Sequence, residues 1–156
     1  QRRCLGLVTG NLEKGAAIKL ENAGLAGYFK FGGYASDSEN RTELTRAGIE
    51  RGARHVAPTP VKRAFVIGDT PLDILHGRAG GACSIAVASA KYGIEELASS
   101  NPDLLVPDLA PASEIIGFMR SGRPGRRTVS ARSRPERRST VSKANIKVYP
   151  SNDLYI

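Results

Sequence analysis

Residues 64–73 read AFVIGDTPLD, an apolar run followed at once by an acidic residue and a helix start. The uninterrupted apolar run predicts a buried strand. Thr70, Pro71 and Asp73 then have the order of an N-cap, a first-turn proline and an acid at the third helical position, which predicts a helix to about Ala79. A buried strand followed directly by a helix predicts one strand–helix unit of a parallel sheet.

The same alternation continues on both sides of this unit. Apolar runs predict further strands, and apolar residues at helical spacing predict further helices. The predicted strands cover 5–8, 32–34, 64–67, 84–87 and 104–106, and the predicted helices cover 12–23, 42–53, 71–79, 94–98 and 112–119. This order predicts an α/β fold with a doubly wound parallel sheet, in which active residues gather at the carboxyl ends of the strands.

The excess of basic charge lies at one end of the chain. The 156 residues include 23 Lys and Arg against 15 Asp and Glu, a net charge of +8. Residues 1–119 hold 13 basic and 13 acidic side chains, whereas residues 120–156 hold 10 and 2. We therefore predict one α/β domain over 1–119 and a disordered Arg-, Ser- and Pro-rich tail over 120–156. Within the tail, 146–149 has the composition of a strand, which Pro150 limits.

Composition excludes several classes of protein. No run approaches the ~18–20 apolar residues of a membrane span, and the first residues show no secretion signal. Cys4 and Cys83 lie beside apolar runs, which suits small reduced core residues of a cytoplasmic protein rather than a disulfide scaffold or a zinc site. The chain begins at Gln1 and leads directly into a strand, so we expect the natural start to lie upstream.

Asp69 and Asp73 form the first candidate site. Asp69 follows the strand and Asp73 comes one helical turn later, so the two carboxylates can face one hard cation. Mg²⁺ prefers such oxygen ligands together with water and phosphate. Alternatively, Thr70 and Asp73 only start the helix. This alternative leaves Asp69 unexplained, because a charge at the end of an apolar strand is costly without a cation or hydrogen-bond donors.

Thr9, Gly10 and Asn11 form the second candidate site, directly after the predicted strand 5–8. The Thr9 hydroxyl and the backbone N–H groups of Gly10 and Asn11 can bind a phosphate oxygen at a helix N-terminus. Alternatively, Thr9 or Asn11 serves only as a helix cap.

Arg41 is the third candidate, because it stands at the head of a predicted helix. A cation is disfavoured there unless it binds an anion. Arg41 is otherwise a solvated side chain, and Lys14 and Arg78 are alternatives for the same role. His76, one turn beyond Asp73, is more typical of a surface helix residue than of a ligand.

Taken in order, these segments resemble the haloacid dehalogenase (HAD) superfamily of phosphatases, and most closely its phosphoglycolate-phosphatase-like branch. The resemblance covers about residues 4–119. It rests on the family's second and fourth motifs, its Ala/Gly-rich helix end and its usual ending. These segments are LGLVTGN at 5–11, FVIGDTPLD at 65–73, RAGGA at 78–82, IEEL at 94–97 and NPDLLV at 101–106.

The resemblance implies a Rossmann-like core and Mg²⁺-dependent hydrolysis of a small phosphorylated metabolite through a phosphoaspartate. Thr9 would bind a phosphoryl oxygen, alongside Gly10 and Asn11. Asp69 would ligate Mg²⁺ and Asp73 would support the metal site. Such groups stabilise charge on the transferred phosphoryl group.

The family's third and first motifs are matched less well. The third is a Lys or Arg that neutralises the phosphoaspartate, and Arg41 fits its spacing although the usual Lys-Pro pair is absent. The first is an Asp-x-Asp that supplies the nucleophile and the general acid/base. No Asp-x-Asp precedes residue 37, and the Asp-Ser-Glu at 37–39 follows the wrong element. By resemblance, the missing strand lies between the strands ending at Thr9 and Asp69, so we expect an incomplete sheet with two unpaired backbone edges.

The sequence therefore favours one part of an enzyme, the C-terminal portion of a phosphomonoesterase whose nucleophile lies outside this chain. Such a chain alone should bind Mg²⁺ weakly and show no phosphatase activity. Two alternatives stay open. One is a degenerate phosphatase fold that serves as an interaction domain. The other is nucleic-acid binding through the basic tail at 120–147, which lacks the interleaved aromatic residues that base stacking needs.

Overall fold

The computed structural model describes residues 4–88, 91–110, 112–121 and 153–155, the last three by their backbone only. These residues form a six-stranded sheet and its covering helices. The strands are β1 (Cys4–Thr9), β2 (Phe29–Tyr34), β3 (Arg63–Gly68), β4 (Cys83–Val87), β5 (Leu104–Val106) and β6 (Asp153–Tyr155). The helices are α1 (Glu13–Asn22), α2 (Arg41–Val56), α3 (Pro71–Ala79), α4 (Ile94–Ser99) and α5 (Ala112–Ser121), and a 3₁₀ turn covers Ala26–Tyr28.

All neighbouring strands are parallel, in the order β2-β1-β6-β3-β4-β5. On β4, Ile85 belongs to one hydrophobic cluster with Met119 of α5, whereas the next residue, Ala86, clusters with Ile74 of α3 and Leu97 of α4. Because successive strand residues point to opposite faces, helices cover both faces of the sheet. The predicted doubly wound α/β fold is confirmed.

Helix α1 departs from its predicted burial. Apolar spacing predicted an amphipathic helix over 12–23, but Leu12 and Ile18 are 63% and 58% exposed and Ala16 is the buried residue of the helix. Spacing decides whether a helix forms, but burial of its apolar face requires another element to pack there.

No helix in the described part of the chain is long and apolar enough to cross a membrane.

The middle of the sheet corrects a second expectation. The sequence predicted a vacant position between β1 and β3, and β6 lies there instead. Leu154 pairs with Cys4 on one side and with Ala64 on the other. An extended segment at this position can form hydrogen bonds with the backbone of both neighbouring strands. Backbone N–H and C=O groups that stay unpaired in the middle of a sheet would cost free energy.

The boundary of the predicted tail also shifts. Helix α5 continues to Ser121 rather than ending at Met119, and 153–155 is a strand. The disorder predicted for 122–152, and the strand predicted for 146–149, lie outside the described residues.

Close approach of backbones joins β2 to α2. A Cβ atom on Gly33 would overlap the carbonyl oxygen of Leu44, and one on Gly48 would lie 3.2 Å from Cγ2 of Val8. Both glycines are buried. The absence of side chains here lets α2 lie directly on β1 and β2, which places the first residue of α2 next to the carboxyl end of β1.

Candidate functional site

The candidate residues gather where β1 and β3 end. Thr9 is the last residue of β1, and Asp69 follows the last residue of β3. Arg41 is the first residue of α2, and Asp73 lies in the first turn of α3. Parallel strands place all four positions at the same edge of the sheet.

The start of α3 is a complete capping box. The Thr70 hydroxyl accepts a hydrogen bond from the Asp73 amide at 3.2 Å, and Oδ2 of Asp73 accepts from the Thr70 amide at 3.1 Å and the Thr70 hydroxyl at 2.8 Å. A cap of this kind contributes about 1 kcal/mol. Thr70 and Asp73 therefore do cap the start of α3, as the alternative interpretation predicted.

Asp69 is held by the same carboxylate. Its backbone amide donates to Oδ2 of Asp73 at 3.2 Å, and its side chain is half-buried. Among the described residues, the carboxylate of Asp69 accepts no hydrogen bond. Gly68 allows this arrangement, because a Cβ there would lie 2.5 Å from Cγ of Asp73. Asp69 is thus the carboxylate that helix capping leaves available for a cation.

The hydrogen bonds of Thr9 and Asn11 match neither the phosphate-binding nor the helix-cap interpretation in full. The Thr9 hydroxyl accepts hydrogen bonds from the amide of Asn11 at 3.1 Å and from its Nδ2 at 2.8 Å, and Oδ1 of Asn11 accepts from Lys19 at 2.9 Å. The N-cap of α1 is Leu12, which makes no side-chain cap. Neither Thr9 nor Asn11 therefore caps α1. The Asn11 amide, expected to face phosphate, already donates to Thr9.

Arg41 lies beside the carboxyl end of β1. Its Nη2 would be 3.2 Å from a Cβ on Gly10, so the guanidinium is beside the second candidate site. A small cavity of about 40 Å³ begins here. Its lining residues are Val8, Arg41, Thr45, Val66, Ile67, Asp73 and His76.

This placement separates Arg41 from the two alternative cations. Arg78 donates to the backbone carbonyl of Asn101, and Lys14 lies on α1. Neither lines the cavity. The structure therefore brings Arg41 and Asp73 together, whereas Thr9 and Asp69 stand at the ends of the flanking strands without lining it.

His76 lines this cavity, although its sequence context was more typical of a surface helix residue. It is half-buried, lines the cavity, and its Nδ1 lies 2.8 Å from the Thr42 hydroxyl, which ties α3 to the head of α2. The available signal was its spacing, because residues three apart on a helix share a face and His76 follows Asp73 by three.

The described residues contain no cluster of three or more His, Cys, Asp or Glu side chains. The carboxylates of Asp69 and Asp73 lie beside the end of β3. Mg²⁺ commonly takes one or two protein carboxylates and fills its other positions with water and phosphate.

Asp37 has a structural role away from this cavity. Its carboxylate accepts two hydrogen bonds from Arg51, both at 2.6 Å, and one from the Tyr34 amide at 2.8 Å. Arg51 also donates to the Gly32 carbonyl at 2.7 Å. These bonds fasten the loop between β2 and α2, which leads to the N-cap Asn40. Asp37 does not substitute for a first-motif aspartate.

The Asp37–Arg51 pair predicts an acid-dependent loss of stability. The hydrogen bonds from Arg51, followed by that from the Tyr34 amide, hold the pKa of Asp37 below its usual value. A lowered native pKa adds stability above the unfolded pKa, about 3.9, and that stability is lost as the pH falls through the native pKa. Urea unfolding at pH 6 and at pH 2.5 should show a gap between wild type and Asp37→Asn that shrinks at low pH. When Arg51 is also replaced by Met, the stability difference between Asp37 and Asp37→Asn should depend less on pH. With Arg51 in place, an equal difference at both pH values would contradict the assignment.

Comparisons with known proteins agree with this fold. Residues 41–112 match the model of the HAD-hydrolase-like family. That stretch includes Arg41, Asp69 and Asp73 but not Thr9, and the match supports the resemblance to the HAD superfamily.

One solved X-ray structure, a target of the Northeast Structural Genomics Consortium, matches with a TM-score of 0.51 at 21% identity. The match covers 76% of this chain and 38% of that one, so this chain corresponds to well under half of that protein's length. At this identity the likeness shows the fold alone. A comparison with curated proteins found no match.

Proposed function

We propose that this chain supplies the phosphate- and metal-binding edge of a Mg²⁺-dependent HAD-type phosphatase, which hydrolyses a small phosphomonoester of the phosphoglycolate kind. The observation that carries the proposal is the meeting of Arg41 with Asp73 in one cavity, beside the ends of β1 and β3. A cation and carboxylates at the carboxyl edge of a parallel sheet suit a phosphoryl group that is bound together with a divalent metal.

Each residue has a distinct task in this proposal. Arg41 neutralises charge on the phosphoryl group from the side of Gly10. The Thr9 hydroxyl orients a phosphoryl oxygen at the end of β1. Asp69 would hold Mg²⁺ directly, and Asp73 would support it through the amide of Asp69 that it already binds. Bound there, Mg²⁺ would polarise a phosphoryl oxygen.

The nucleophile is proposed to come from another polypeptide segment. The sequence contains no Asp-x-Asp. β6 lies in the middle of the sheet, but its aspartate, Asp153, stands opposite Arg63 at the amino end of the strands, far from the candidate site. The attacking carboxylate and the general acid/base therefore belong to a segment outside these 156 residues.

Mixing tests the proposal. The chain is combined with the N-terminal half of a phosphoglycolate phosphatase, and release of inorganic phosphate from phosphoglycolate is measured with Mg²⁺ and with EDTA. We expect no turnover from either part alone, turnover from the mixture, and its loss in EDTA. Turnover by the chain alone would show that its nucleophile lies within it. A mixture that forms a complex and stays inactive with Mg²⁺ would contradict the enzymatic role.

A second function is favoured by the position of β6. A strand already lies where a nucleophile-bearing strand would pair. The same chain can therefore serve as a non-catalytic interaction domain with a phosphatase-like fold. In that case the mixture forms no complex, and the chain binds a partner through surfaces other than this edge.

A further inference from the structure

A second cavity lies at the outer edge of β2, away from the candidate site. β2 is the end strand of the described sheet, and residues of β2, of α2 and of the start of α1 line this cavity. Its volume is about 510 Å³, within the roughly 300–1,000 Å³ of small-molecule sites. It shares no lining residue with the cavity beside Arg41. We call it the β2 groove, and the proposed function gives it no task.

Two side chains already bind backbone groups of β2 beside this groove. Arg51 donates to the Gly32 carbonyl at 2.7 Å, and the Tyr34 amide donates to the carboxylate of Asp37 at 2.8 Å. An extended peptide added at this edge would need backbone groups of the end strand for its own ladder. The β2 groove therefore suits a small ligand bound by side chains better than it suits an added strand.

The cations of the β2 groove predict an anionic ligand. Lys30, Arg51 and Arg54 line it. Arg51 is paired with Asp37 at 2.6 Å, whereas Lys30 and Arg54 form no salt bridge with any described residue. Ammonium and guanidinium groups are common donors to phosphate oxygens. Lys30 and Arg54 are thus available to bind a phosphate.

The aromatic residues of the groove predict a flat apolar part in the same ligand. Phe31 is buried, and its ring lies 5.9 Å from that of His55. Phe29 and Tyr34 are only half-buried where they line the groove. Partly exposed rings offer a surface on which a planar ring can stack.

The acidic residue that lines the groove adds a third requirement. Burial, followed by the charge of Glu13, raises the pKa of the Tyr34 hydroxyl, so Glu13 acts at the same place as this ring. Its carboxylate would repel a ligand that is anionic throughout, but it can accept hydrogen bonds from hydroxyl groups. The ligand therefore combines a phosphate, neighbouring hydroxyls and a planar ring, and a mononucleotide has all three.

We propose that the β2 groove binds a mononucleotide. Lys30 and Arg54 bind its phosphate, and the rings of Phe29 and Tyr34 pack against its base. Glu13 accepts hydrogen bonds from the ribose hydroxyls. Because the groove is separate from the site at the ends of β1 and β3, this binding does not depend on the proposed phosphatase function.

Isothermal titration calorimetry on the full chain tests this binding, with EDTA present so that no divalent metal contributes. AMP, adenosine and ribose 5-phosphate are titrated separately. We expect AMP to bind at least tenfold more tightly than either of its parts, because only AMP offers both the phosphate and the base. Equal affinity for AMP and ribose 5-phosphate would show recognition of the anion alone and would overturn the proposal.

Single substitutions locate the bound nucleotide. Arg54→Met should weaken AMP binding at least tenfold, whereas Arg46→Met, which removes an exposed cation of the same helix outside the groove, should not change it. Phe29→Leu should weaken AMP binding at least threefold and leave ribose 5-phosphate binding unchanged. Loss of AMP binding in Arg41→Met but not in Arg54→Met would place the nucleotide at the ends of β1 and β3, against the proposal.

Chemical-shift mapping on the unmodified, isotope-labelled chain gives a second measurement that needs no variant to fold. At saturating AMP, amides in 29–34 and 51–55 should shift, with those in 69–73 and 94–99 unchanged. Shifts confined to 69–73, or no shifts at millimolar AMP, would refute binding in the β2 groove. Because no hydrolysis is measured, an inactive mixture in the phosphatase experiment would leave nucleotide binding standing and remove only the enzymatic role.

Discussion

Gly33→Ala is expected to lower the free energy of unfolding by about 3 kcal/mol or more, the upper range for overpacking in a core. The added Cβ would overlap the carbonyl oxygen of Leu44, which belongs to the backbone of α2. A flexible side chain could rotate away, but a helical carbonyl can move only with its helix. Since domains of this size are stable by roughly 5–15 kcal/mol, the loss should be visible as a large shift of the unfolding midpoint.

Urea unfolding followed by circular dichroism measures this effect. The matched control is Gly15→Ala in α1, where an added Cβ meets no atom within 4 Å. That change should stabilise the chain by about 0.5–1 kcal/mol, because alanine favours a helix over glycine. If both variants moved the midpoint equally, the close approach of β2 and α2 would not be as described.

Asp69→Asn is expected to lower the Mg²⁺-dependent phosphatase activity of the mixed enzyme by at least about 100-fold. The metal contributes several kcal/mol of charge stabilisation in such reactions, and 100-fold corresponds to about 2.7 kcal/mol. Asparagine keeps the size of the side chain and removes the charge. Asp69 lies outside the capping box and accepts no hydrogen bond among the described residues, so folding should be preserved.

Two companion variants sharpen this measurement. Glu96→Gln changes an exposed acid of α4 in the same way and should leave the activity unchanged. Asp73→Asn keeps an oxygen for the capping box and should give a smaller loss than Asp69→Asn. If Asp69→Asn lost no more activity than Glu96→Gln, the proposed role of Asp69 in binding Mg²⁺ would be contradicted.

Short-range sequence patterns were enough to predict β3 and α3. The run before Gly68 has no polar interruption. The Thr70 hydroxyl accepts from the Asp73 amide, the Asp73 carboxylate accepts from the Thr70 amide, and Pro71 has no N–H that needs a partner. Those interactions are made within a few residues, so short-range reasoning could find them. The helix following β1 was also found, but the exposure of Leu12 and Ile18 was not, because it depends on what packs against them.

The candidate site was predictable only in part. Asp69 stood out because helix capping does not explain it, and it is the carboxylate left available. The residues alone did not separate Arg41 from Lys14 and Arg78, since all three are cations on predicted helices, and only the spacing of the resembled family favoured Arg41. The fold separates them, because the close packing of α2 on β1 and β2 carries Arg41 to Gly10. The place of His76 beside this cavity became visible only through its contact with Thr42 and the packing of α3 on α2.

By itself, the sequence determined the order of strands and helices from β1 to α5, the start of α3 and the segments that resemble a phosphatase core. These depend on hydrophobic spacing and on hydrogen bonds between near neighbours. Only the tertiary structure decided that β6 lies between β1 and β3. A three-residue strand has too little pattern to be found locally. Its position is set by pairing with β1 and β3, which lie more than 80 residues away in the chain. The backbone N–H and C=O groups of those strands need hydrogen-bond partners, and a distant segment can supply them.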